Sequence, residues 1–217
     1  MKQITSFWTW FQDNEEAIKN AVASGIKTKE VFLHLNRNYQ YISKKISFII
    51  ISPSNNQEKY TIIFTADGHQ KLFPKIIALE DQAPKLQYFM AQAFIKPILN
   101  KKPYLEGKDK SYIFKNYKIK ISQIYMALMD YNITSKQLKI NVYIPVHDRI
   151  KDFHEIEIDL KYLVMQVIGE IAFKKHIKNI NFLQLPDATL GLLSLIELPE
   201  YIEYLYKINS KQKTILV

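Results

Sequence analysis

The spacing of apolar residues changes along the chain, and each change predicts an element. Phe7, Trp8, Trp10 and Phe11 fall at i, i+1, i+3 and i+4, which is one face of a helix. Asp13-x-x-Glu16 has capping-box spacing and opens a second helix. Ala17, Ile18, Ala21 and Val22 form its apolar side, and Ser24-Gly25 is its stop. A third helix starts near Thr28 and buries Val31, Leu35, Tyr39 and Ile42. The period then shortens. Residues 46–52 and 60–66 are β-branched and aromatic runs joined by a turn-rich stretch, which predicts a β-hairpin. The continuous run Phe48 to Ile51 predicts a strand covered on both faces. Pro74 suits the first turn of a helix whose inward residues are Phe73, Ile76, Ile77 and Leu79, and 88–95 reads as the next strand.

The second half repeats this order. Residues 121–130 and 138–146 read as strands, the latter with Ile140, Val142 and Ile144 on one face. A helix follows, with Leu160, Leu163, Val164, Val167, Ile168, Ile171 and Ala172 on its apolar side and Glu170 and Lys174 paired on its wet face. Residues 179–185 form a strand, and a last helix starts near Pro199. The expectation is an α+β chain, 1–217, folded as a single domain with an internal duplication. A helical N-terminus precedes two ββαβ units that form a mixed, mainly antiparallel sheet, and a C-terminal helix ends it. The pattern leaves open whether the units share one sheet. It allows sub-units 1–95 and 121–217 joined by a connection, 96–120, read as long and largely exposed.

Composition narrows the function classes. The 217 residues include no Cys, which excludes disulfides, thiol nucleophiles and Cys-ligated metal sites. No apolar run has the length of a membrane span, and the first residues lack a signal-peptide pattern, so the expectation is a cytoplasmic bacterial protein with no membrane partner. The five glycines form no dinucleotide fingerprint and no P-loop, and no nucleophile elbow or zincin motif occurs. The net charge is +9, carried by 30 basic residues of which only Arg37 and Arg149 are Arg. Two-thirds of that excess, a balance of +6, lies in residues 96–120.

Three places hold candidate chemistry. Asp67-Gly68-His69 sits at a strand-to-helix junction, where an Asp–His pair suits acid–base work, although a turn needing a positive φ explains the same residues. The loop His147-Asp148-Arg149, Asp152, His154-Glu155 and Glu157 is the densest polar cluster, with a solvated helix entrance as its plain explanation. For an enzyme, Asp67, His69, His147, Asp148 and His154 are the residues to test; no resident metal or cofactor is expected. Third, 96–120 interleaves lysine with aromatics. Lys101, Lys102, Tyr104, Lys110, Tyr112, Lys115, Tyr117 and Lys118 are the candidate binding residues, because sequence-tolerant single-strand binders combine cations with stacking rings. Phe7 to Phe11 reads as core, and His34 and His176 as surface residues.

The segment Phe64-Thr65-Ala66-Asp67-Gly68, Leu72-Phe73-Pro74, Ala83-Pro84-Lys85-Leu86 and Ala93-Phe94, together with the aromatic N-terminal helix, resembles a signature of bacterial α+β proteins with no assigned activity. The resemblance implies the fold and a bacterial setting, and no catalytic residue. The leading expectation is therefore a non-enzymatic binding module of regulatory or toxin-neutralising type, with another protein as partner. A nucleic-acid binder using 96–120 and a metal-assisted enzyme using Asp67, His69, His147 and His154 are the alternatives.

Overall fold

The computed structural model describes residues 2–24, 28–53, 58–114, 117–145 and 156–214. The chain divides into two compact units, Met1–Ile95 and Lys96–Val217. The α+β reading holds: eight helices and three sheets or ribbons are present among the described residues.

The first unit opens with α1 (Lys2–Asp13), α2 (Glu15–Ser24) and α3 (Thr28–Gln40), the three helices that the spacing predicts. Strands β1 (Ser47–Ile51), β2 (Tyr60–Thr65) and β3 (Phe89–Ala93) follow, with α4 (Phe73–Asp81) between the last two. β1 pairs antiparallel with β2, and β2 pairs parallel with β3, so α4 is the crossover that a parallel pair requires. The core holds a cluster of aromatic rings among its aliphatic residues. Phe7, Trp8 and Phe11 are buried, and edge-on contacts run from Phe7 to Trp8 (4.9 Å), Trp8 to Phe64 (5.8 Å) and Phe11 to Phe89 (5.3 Å). Each such pair adds about 1 kcal/mol beyond the area it buries. The Trp8 indole N–H donates to the carbonyl of Leu79 at 2.9 Å, which fastens α1 to α4.

Two details of this unit differ from the expectation. β1 is only half-buried; the strand enclosed on both faces is β2, buried continuously from Ile62 to Thr65. The reason is position, since β2 is the middle strand and β1 an edge. Ile77 is exposed rather than inward, because α4 buries only the narrow stripe of Ile76 and Leu79.

The second unit begins with α5 (Lys102–Leu105) and the short ribbon β4 (Tyr112–Phe114) and β5 (Tyr117–Ile119). Then come β6 (Tyr125–Asn132), β7 (Gln137–Ile144), α6 (Glu157–Ile168), α7 (Glu170–His176), β8 (Ile177–Gln184), β9 (Leu193–Ser194) and α8 (Leu198–Thr214). The sheet order is β8-β7-β6-β9, with β6–β7 antiparallel and β7–β8 parallel. The pairing scheme of the first unit thus recurs, in a sheet that shares no strand with it. Here the core is aliphatic, built on Ile140, Val142, Leu160, Leu163, Val164 and Val167.

The helix predicted as one run through Ala172 is two. Gly169 adopts φ 82 and ψ 148, a conformation open to glycine, and the chain turns there. The turn carries Glu170 inward, where it is fully buried, rather than onto the wet face beside Lys174. It also places His176 at the buried end of α7, so His176 is not a surface residue.

Candidate functional site

Asp67 and Gly68 have φ values of 47 and 75. With the His69 N–H donating to the Ala66 carbonyl at 2.8 Å, they are the central pair of a tight turn of the mirror-image type. Both side chains of the proposed acid–base pair, Asp67 and His69, are exposed. The Asp67 carboxylate accepts from the Ser47 hydroxyl at 3.5 Å, and its own N–H donates to the Thr65 hydroxyl at 3.1 Å. The turn is thereby accounted for by backbone needs. His147, Asp148, Arg149, Asp152, His154 and Glu155 lie outside the described residues. No group of three or more metal-ligating side chains occurs among the described residues.

Most described residues of 96–120 are exposed, as expected of it, but the segment is not structureless: it forms α5 and the β4–β5 ribbon and opens the second unit. It supplies Ile119 to the core of the second unit, and Ile98, Tyr104, Tyr112 and Tyr117 pack against that core. Gln166 of α6 is the anchor. Its carbonyl accepts from the Ile98 N–H at 2.8 Å, and its side-chain oxygen accepts from the Tyr112 hydroxyl at 2.6 Å. Burial raises the pKa of Tyr112 well above the ordinary phenol value, and the neighbouring Tyr104 and the Asp109 carboxylate push it the same way. Asp109 is only 6% exposed, and its Oδ2 accepts from the Ser122 N–H at 3.2 Å. This ties the loop to the 3-10 turn Ile121–Gln123.

The lysines of the segment point the other way. Lys96, Lys102, Lys108, Lys110 and Lys118 are exposed. Lys101 is half-buried and pairs with Glu200 of α8, while Lys108 pairs with Glu106 at 2.8 Å. Lys118 stands opposite Ile113 across the β4–β5 ribbon. Lys115 lies outside the described residues. Of the candidate binding residues, then, Lys102, Lys110 and Lys118 belong to an open basic surface, whereas the tyrosines are its foundation. A sequence that alternates Lys with Tyr can place both outward or sort them to two sides; α6 decides, because its apolar surface needs cover.

Two buried polar residues escaped the sequence reading. Glu15, the first residue of α2, accepts from three consecutive N–H groups, those of Gln87 (3.1 Å), Tyr88 (2.5 Å) and Phe89 (3.0 Å). It closes the entry to β3. The acidic residue expected to act locally was Glu16, and nothing in the local pattern marks Glu15 as a contact to a strand seventy residues on. His176 contacts the Tyr206 hydroxyl through Nδ1 at 3.0 Å, with the two rings edge to face.

No described helix is long and apolar enough to cross a membrane. No family model, no curated protein and no solved structure matches this chain.

Proposed function

We propose that the chain is a non-catalytic binding module whose contact surface is the lysine-covered outer side of 96–120, and that its partner is an acidic protein. The observation that carries this reading is the sorting of one segment into two sides. Tyr104, Tyr112 and Tyr117 pack inward on the second core, while Lys102, Lys110 and Lys118 are exposed. Cations held on a rigid folded base lose less freedom on binding than cations on a floppy loop. They also steer an acidic partner and set its approach. The inward tyrosines weigh against the single-strand nucleic-acid reading, because rings that support a core cannot stack on bases.

The test is the combined variant Lys102→Glu, Lys110→Glu and Lys118→Glu, compared with the parent chain in quantitative affinity capture from the native host. The parent should hold a protein that salt releases, and the variant should not hold it. These positions are exposed, so the variant should fold with a stability change within about 0.5 kcal/mol. Equal capture by the two proteins would overturn the proposal. Retention of nucleic acid alone would replace it with the alternative.

A further inference from the structure

The same surface has an apolar centre. In three places, a residue of 96–120 that packs inward is followed directly by a large aliphatic residue that does not. Ile98 is followed by Leu99, Tyr104 by Leu105 and Tyr112 by Ile113. These three successors are 89%, 65% and 68% exposed. The inward members meet around one anchor: Ile98 and Tyr112 both bond to Gln166, and Tyr104 reaches the Tyr112 hydroxyl. Leu99, Leu105 and Ile113 each follow directly on one of these inward residues. Lysines share the segment with them. Lys102 lies one turn before Leu105, Lys118 is the cross-strand partner of Ile113, and Lys96, Lys108 and Lys110 are exposed; Lys102 and Lys108 share the Glu106 carboxylate, at 3.9 and 2.8 Å.

An exposed aliphatic group costs free energy in water, and three on one basic segment supply both ingredients of an interface, apolar contacts and charged neighbours. We infer that this surface binds an acidic amphipathic segment of a partner protein, with aliphatic or aromatic side chains seated on Leu99, Leu105 and Ile113 and carboxylates set against the lysines. The inference rests on the binding reading above and gives its partner a chemistry. The choice of occupant follows from charge and from side-chain type. Among the described residues of the segment, the exposed lysines Lys96, Lys102, Lys108, Lys110 and Lys118 stand against one exposed carboxylate, Glu106, which selects an anionic ligand. Exposed aliphatics, which offer no stacking face to a base, select a peptide over a nucleic acid.

Fluorescence anisotropy with defined probes tests it. The first probe is a labelled helical peptide with leucines at i, i+3, i+4 and i+7 and glutamates between them. The second is a polyglutamate peptide of equal charge, and the third a single-stranded oligonucleotide of equal charge. The parent chain should bind the amphipathic peptide about tenfold more tightly than polyglutamate. The variant Leu99→Ser, Leu105→Ser and Ile113→Ser should lose that preference and keep its weak, salt-sensitive hold on polyglutamate. Binding of the amphipathic peptide unchanged by the serine substitutions overturns the inference, as does no binding of that peptide, or an oligonucleotide bound as tightly. The lysine variant separates the two claims. If it loses both acidic peptides while the serine variant loses neither, the basic surface stands and the apolar centre falls. If it binds every probe like the parent, both fall.

Discussion

The two units solve the same strand-pairing problem with different materials. In each, an antiparallel hairpin leads through a helical crossover to a third strand parallel to the second. The first unit fills its core with Phe7, Trp8, Phe11, Phe64 and Phe89, and the second with Ile, Leu and Val. The crossover of the first is the single helix α4, and that of the second is broken at Gly169. Strand order therefore does not depend on core chemistry; it depends on where hairpins and crossovers fall in the chain. What covers the sheet is free to vary. The second unit adds the segment 96–120 ahead of its hairpin, and that addition carries the basic surface. The repeated part recurs around two different cores, and 96–120 is one of the parts without a counterpart, as are α1 to α3 and α8.

The sharpest way to break this comparison is to hollow each core in turn. Both tryptophans, Trp8 and Trp10, lie in the first unit, so their fluorescence reports on it alone. Phe11→Ala removes a fully buried ring in contact with Trp8 and Phe89 and should cost about 4 kcal/mol. The fluorescence midpoint in urea should fall accordingly. Leu163→Ala, the matching change in the aliphatic core, should cost about 3 kcal/mol and show as lost amide protection in β7 and β8. If Phe11→Ala moved the midpoint no more than Met90→Ala at an exposed position of the same unit does, the aromatic cluster would not be what holds the first unit.

A smaller effect sharpens how the helical entry is secured. Glu15→Ala leaves the N–H groups of Gln87, Tyr88 and Phe89 without their common acceptor. The expected loss is about 2 kcal/mol, read from the same fluorescence transition. Amide exchange at those three positions should rise by more than the global loss explains. Unchanged protection there would mean that the carboxylate is incidental to the β3 entry.

How far the sequence speaks follows from the range of each interaction. α1 is legible because its four aromatics fall at local spacing, and α4 because Pro74 marks its first turn. The turn at Asp67-Gly68 is legible because the positive φ is a local demand. The break at Gly169 was hidden by its surroundings. Apolar residues keep helical spacing on both sides of it, so periodicity runs straight through. The roles of Glu15 and His176 were hidden for a different reason, since their partners stand on distant elements. Of the candidate surface, the lysine excess could be read from composition, but its division into an inner tyrosine side and an outer lysine side could not. That division depends on α6, which presents Gln166 and an apolar flank to the segment.

The smallest expected effect belongs to His176, and it tests whether α8 is part of the second unit's fold or an appendage. His176 Nδ1 and the Tyr206 hydroxyl of α8 lie 3.0 Å apart, and in the tautomer that leaves Nδ1 bare the hydroxyl donates to it. Burial lowers the His176 pKa below its ordinary value near 6.5; the Lys136 carbonyl opposes this, and the charges of Lys175 and Lys136 lower it further. The Lys136 ammonium also sits 4.4 Å from the centre of the Tyr206 ring. A proton on the ring would thus add a third positive charge and remove the acceptor that Tyr206 uses. Because the folded pKa is the lower one, the unfolded chain takes up the proton first as the pH falls. The contribution is complete above about pH 6.5 and is lost as the pH drops through that value toward the folded pKa. Urea midpoints by far-ultraviolet circular dichroism at about pH 7.5 and about pH 5.5 should therefore differ more for the parent chain than for His176→Gln, which cannot titrate. Equal differences in the two proteins would show that the histidine is filler and that α8 is held by its other contacts, among them Leu198 and Ile202 in the core and the Glu200–Lys101 pair.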